Sequence, residues 1–94
     1  MNRVVLSAKL VERGAVRYTP AGLPALDLSL MHESEVSEDG RPRKVSMEIK
    51  AVAIGAITRL IEPLLIGSET VFAGFLTASR NGRGLVFHVT ELEV

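Results

Sequence analysis

The chain has 94 residues, eleven Lys or Arg against eleven Asp or Glu, no cysteine, no tryptophan and two histidines. That length suits a single small domain over residues 1–94 rather than two. The composition excludes disulfides, a thiolate metal site and a thiol nucleophile. It also lacks the bulk positive charge that nucleic-acid binders usually carry, so any such function must rest on local charge segregation.

The first segment, "NRVVLSAKLVERG", alternates, with Val4, Leu6, Ala8 and Leu10 on one parity and Ser7 and Lys9 on the other. This is the pattern of a half-buried strand, which Gly14 ends or bulges. Thr19-Pro20-Ala21-Gly22 fits a type I turn. The next strand, "ALDLSLMHE", sets Leu26, Leu28 and Leu30 against Asp27, Ser29 and Met31, and the first two strands read as a long antiparallel hairpin. Residues 34–44, "SEVSEDGRPRK", are polar, carry Gly40 and Pro42, and read as a flexible loop whose acidic half precedes its basic half.

From Val45 the alternation resumes, with Val45, Met47, Ile49 and Ala51 against Ser46, Glu48 and Lys50. The period then changes. Ile54, Ile57, Leu60, Ile61 and Leu64 stand at helical spacing, which predicts a short helix from about Gly55 to Glu62 that Pro63 stops. "ETVFAGFLTASR" is a fourth strand in which Gly74 marks a bend or close backbone approach. Asn81-Gly82 is a hairpin signal, and "LVFHVTELEV" is the fifth strand. Three strands, a short helix and a closing hairpin describe an all-β protein: a five-stranded Greek-key barrel of the OB type, with one short helix between the third and fourth strands.

Hydrophobic residues make up 47% of the chain, and its mean hydropathy is +0.27, which is apolar for so small a domain. A homodimer interface or a dense core of short aliphatic side chains would each absorb the surplus. Val5 and Val11, apolar on the wet side of the first strand, favour pairing of that strand across a two-fold axis. There is no signal peptide and no apolar run of membrane-spanning length, so the expected location is cytoplasmic.

No catalytic constellation is visible: no nucleophile–base pair, no Gly-rich phosphate loop ahead of a helix, and no metal-ligand spacing. Glu91 and Glu93 read as a solvated strand face, and His88 as a half-buried sheet histidine. No enzyme, cofactor or metal is expected, and the chain reads as a binding module.

Seven of the eleven cations fall in or beside elements that frame an OB-type groove: Arg17, Arg41, Arg43, Lys44, Lys50, Arg80 and Arg83. Such a groove holds phosphates by Coulombic attraction and counterion release. Ser46 shares the wet face of the third strand with Lys50. Aromatic stackers are scarce: Phe72, Phe75 and Phe87 sit in apolar strands and read as core, leaving Tyr18 as the one exposed candidate.

The stretches "NRVVLSAKL", "TPAGLPALDLSLMHES", "VAIGAITRLI" and "VFAGFLTASRNGRGLVFHVTELE", in this order and over nearly the whole chain, resemble the primosomal replication protein N (PriB) family. The resemblance implies a homodimer of OB-folds that binds single-stranded DNA. It also implies a role in the primosome, stabilising the restart helicase PriA on forked DNA and helping to recruit a DnaT-like helicase-loading protein. Arg17, Arg43, Lys44 and Arg80 match basic positions of the family pattern. Ser46 stands where family members can carry an aromatic, and the last hairpin is poorer in lysine than the family allows. The related single-stranded-DNA-binding proteins are normally longer, with a polar tail that this chain is expected to lack. A protein-interaction module with incidental nucleic-acid binding is the alternative, favoured by the zero net charge; an RNA-binding OB module is a more distant one.

Overall fold

The computed structural model describes residues 1–93. Strand β1 spans Val4–Arg13, β2 Arg17–Tyr18, β3 Pro24–Glu38 and β4 Arg41–Ile54. A 3-10 turn, Gly55–Ile57, leads into helix α1, Thr58–Ile61, and then come β5, Glu69–Ala78, and β6, Leu85–Glu93. The five long strands close in the order β1-β3-β4-β6-β5-β1, while the two-residue β2 hangs on β3. Every pairing is antiparallel except β4 with β6. This is the OB barrel expected from the element order.

The alternation in β1 drives the closure. Its even residues point inward, with Ala8 and Leu10 fully buried beside Leu26, Leu28, Leu30, Phe72, Phe87 and Val89. Strand β1 divides its partners: Val4 to Lys9 pair with β5, whereas Lys9 to Arg13 pair with β3. A bulge between Leu10 and Glu12 lets it turn from one neighbour to the other. Along Val4–Ala8 the edge facing β3 therefore has no ladder partner among the described residues. His32 reaches that edge from β3, its Nδ1–H donating to the Ser7 carbonyl at 2.6 Å while Ser34 Oγ–H donates to Nε2 at 2.8 Å.

Two sequence expectations change. Residues 34–44 do not form a flexible loop; β3 and β4 run in unbroken register from Ala25↔Ile54 to Glu38↔Arg41. The turn is Asp39-Gly40, with φ of 50° and 73°. Two consecutive positive values make the tight turn that matches strand twist, and Asp-Gly is a preferred sequence for it. Beyond Met31 this ribbon makes no ladder with β1 or β6, and it lengthens the molecule to 48 Å along its longest axis. The expected β1–β3 hairpin is also more elaborate. Strands β1 and β3 do pair, but the Thr19–Gly22 turn, closed by Gly22 N–H to Thr19 O at 2.8 Å, belongs to the small β2–β3 hairpin between them.

The helix falls where the period predicts. Ile61 is fully buried, Ile57 and Leu64 pack against the core, and the Thr58 hydroxyl donates to Gly55 O at 2.7 Å. Leu60 and Ile54, counted on the same stripe, are exposed instead, because one helical turn gives the barrel end too few positions to bury all five. Among the described residues no helix is long and apolar enough to cross a membrane.

Candidate nucleic-acid interface

The outer face of the sheet carries a row of register partners. Phe75 of β5 lies opposite His88 of β6, His88 beside Val52 of β4, and Val52 opposite Asp27 of β3. The Phe75 and His88 rings stack with centroids 4.8 Å apart and planes 11° from parallel. Phe75 is 37% exposed, so the reading of this residue as core is corrected, whereas Phe72 and Phe87 are fully buried as expected. Alternation explains the split: Phe72 and Phe75 are three residues apart and point to opposite faces.

Gly74 brings the two strands together. A Cβ on it would overlap the His88 carbonyl oxygen and lie 2.8 Å from the carbonyl carbon and 3.1 Å from the Thr90 nitrogen. Only glycine fits here, and the register shifts at this point, between Ala73 and Gly74.

Beside the row lies a groove of about 320 Å³ between the 19–22 turn and the β5–β6 hairpin. Its floor is Val52, Ile54, Val86 and His88; Arg17 stands on one wall and Arg80 on the other. Two cations and the Asp27 carboxylate thus share a groove floored by aliphatic side chains and one imidazole. Arg17 is engaged with Asp27: Nε–H donates to Oδ2 at 2.8 Å and Nη2–H to Oδ1 at 3.0 Å. These hydrogen bonds outweigh the opposing effect of partial burial and lower the Asp27 carboxyl from its ordinary value, and the same bonds raise Arg17. Among the described residues Arg80 has no ion-pair partner.

The hairpin that holds Arg80 is closed by local hydrogen bonds. Gly82 N–H donates to Ser79 O at 2.9 Å, and the Arg83 N–H donates to Asn81 Oδ1 at 2.9 Å. Arg83 sits at the tip and does not line the groove. Lys50 is on the same outer face as Val52, about 7 Å along β4 by strand rise. It borders a smaller hollow with Asp27 and Ser29. Tyr18 is 70% exposed but belongs to the other side of the turn, near Val16, Pro24, Arg59 and Glu62.

The remaining predicted residues are elsewhere. Arg41, Arg43 and Lys44 lie on the ribbon, roughly 26–36 Å along β4 from Val52 at about 3.3 Å per residue, and Ser46 about 20 Å away. Arg43 is paired with Glu38 at 2.9 Å. The ribbon has an acidic strand (Glu33, Glu35, Glu38) against a basic one (Arg41, Arg43, Lys44). On the outer face Glu33, Glu35 and Glu48 accompany Lys44 and Lys50, with Glu48 accepting from Ser29 Oγ. The groove thus unites Arg17 and Arg80, with Lys50 nearby, and leaves the ribbon cations apart. Glu91 and Glu93 both pair with Arg3, at 3.2 and 3.0 Å.

Sequence reasoning missed the Phe75–His88 stack, yet the signal was there. A hairpin centred between Asn81 and Gly82 sets Phe75 and His88, equidistant from that centre, directly opposite each other. Asp27, placed on the wet parity of its strand, gave no hint that it would hold Arg17.

Residues 2–91 match the family described as "Another single-strand binding protein family". Replication restart protein PriB of Bordetella pertussis is 51% identical over 80 residues, covering 85% of this chain and 75% of that protein. Replication restart protein PriB of Nitrosomonas europaea is 32% identical over 94 residues, covering 99% and 87%. The solved structure of PriB from Ralstonia solanacearum superposes with a TM-score of 0.89 at 35% identity, covering 99% of this chain and 96% of that one. The fold and these likenesses agree: the chain belongs to the PriB family of single-strand-binding-protein-like OB-folds.

Proposed function

We propose that the chain binds single-stranded DNA in the groove between the 19–22 turn and the β5–β6 hairpin, and serves as a non-enzymatic adaptor in replication restart. The observation that carries this reading is the floor of Val52, Ile54, Val86 and the His88 ring in a groove that also holds Arg17 and Arg80. Family membership supports it, since the relatives named above are replication restart proteins. Bases meet the floor and phosphates meet the walls, so binding is sequence-tolerant and salt-sensitive. Titration of a fluorescent oligothymidylate at several salt concentrations tests this. About three phosphates on Arg17, Lys50 and Arg80 give a log–log salt slope of about −2. Saturable binding insensitive to salt would count against a phosphate-dominated mode.

In the full role the adaptor stabilises PriA helicase on DNA and helps recruit a DnaT-like loader, in the cytoplasm, through a single OB domain over residues 1–94. It acts as a homodimer. The open β1 edge along Val4–Ala8 supports that state, with Val5 and Val11 46% and 41% exposed on the strand. Light scattering at tens of micromolar is expected to give a dimer mass; a monomer rules the pairing out.

A second reading, a protein-docking module, draws on the carboxylates of the outer face. Glu33, Glu35 and Glu48 repel a phosphate backbone along the ribbon, whereas a partner protein with its own cations meets no such barrier. Charge reversal at Glu33 and Glu35 separates the two readings. Loss of helicase binding with DNA binding intact or tighter favours docking on the ribbon; competition by tRNA over single-stranded DNA would bring an RNA module forward.

A further inference from the structure

We infer that the stacked Phe75–His88 pair is the base-stacking platform of the groove, taking one unpaired nucleobase onto the exposed aromatic surface. The inference rests on the single-stranded-DNA reading above. His88 belongs to both features: it lines the groove floor and lies parallel to Phe75 at 4.8 Å. His88 therefore links the groove to the ring of Phe75 on β5, and a base can extend the stack. Phe75 is the exposed phenylalanine of the chain, and it sits on the outer face rather than in the core. An exposed aromatic at 37% accessibility has hydrophobic surface that a base can cover. Tyr18, the other exposed aromatic, lies on the far side of the 19–22 turn and cannot share this surface.

The geometry is pre-built. The Gly74 close approach and the β5–β6 register fix both ring-bearing backbones before any ligand arrives. A base adds to an ordered stack, and little ordering entropy is lost. Arg80 on the hairpin wall is placed for an adjoining phosphate. Since every base has a π face, the platform selects unpaired over paired nucleic acid and shows little preference for sequence.

The test uses oligothymidylate and matched duplex. Phe75→Leu is expected to weaken single-strand binding about five- to a hundredfold with the salt slope unchanged, and Phe75→Tyr to restore most of it. The chain has no tryptophan. Phe75→Trp therefore introduces a single tryptophan, excited selectively beside Tyr18, whose emission is expected to be quenched as oligothymidylate saturates. Should Phe75→Leu fail to fold, the quenching measurement decides alone. Failure of the unsubstituted chain to bind overturns the DNA reading and this inference with it. Normal binding by Phe75→Leu, or unquenched emission from a Phe75→Trp chain that binds, overturns the inference while the DNA reading stands.

Discussion

Arg17 and Asp27 form a two-bond ion pair, 2.8 and 3.0 Å, on the wall of the groove, so the cation placed to meet a phosphate already holds a carboxylate. A strand of DNA arriving there competes with Asp27 for the same guanidinium. Exposed pairs of this kind contribute little to folding, so the exchange costs little.

Asp27→Asn is expected to tighten single-strand binding a few-fold, because Arg17 then meets its phosphate without a competing carboxylate, while the log–log salt slope stays near about −2. Because the native Asp27 carboxyl titrates below its ordinary value, the pair's small stabilisation is complete above about pH 4 and is lost as pH falls through the lowered value. Thermal melts of the native chain and Asp27→Asn between pH 2 and 7 check the sign: their difference should shrink toward the acid end.

Arg80→Ala is expected to weaken binding to all sequences alike and to reduce the salt slope by about 0.7. Arg41→Ala, roughly 36 Å along β4 from the groove floor, should change affinity much less. Parallel oligonucleotide titrations compare them, and equal losses would move the interface onto the ribbon.

Gly74→Ala should be among the most damaging small changes in the chain. The new methyl collides with backbone at His88, which cannot move aside as a side chain would. A loss of about 3 kcal/mol, or about 12–24 °C in Tm, is expected by calorimetry.

Gly40→Ala places a Cβ in left-handed backbone, φ of 73°, at a cost of about 1–2 kcal/mol. The ribbon tip packs on neither β1 nor β6, so the barrel's melting should change little. Amides between Glu35 and Lys44 should instead lose protection in hydrogen exchange.

Much of the barrel was legible because alternation and turn chemistry agree. Leu26, Leu28 and Leu30 declared the inner face of β3, and Asn81-Gly82 the last hairpin. The ribbon was not recognised because its polarity outweighed Asp39-Gly40; a two-stranded ribbon with solvent on both faces needs no apolar alternation. The groove was legible only in part. Arg17 and Arg80 lie 63 positions apart in the chain, and only closure of the sheet brings them to opposite walls. The ribbon cations read as neighbours of the groove because a loop folds back, whereas a continuous strand carries its charges away in a straight line.

The divided pairing of β1 also bears on how the chain is made. Strands β1, β2, β3 and β4 have their mutual partners once residue 54 has left the ribosome. Val4 to Ala8 must wait for residues 70–74 of β5, synthesised last but one. At about 5–20 residues per second, the N-terminal half-strand spends roughly one to four further seconds unpaired. A nascent chain stalled in that window exposes an apolar strand to its neighbours, which makes the order of synthesis, and not only the final stability, a hazard for this barrel.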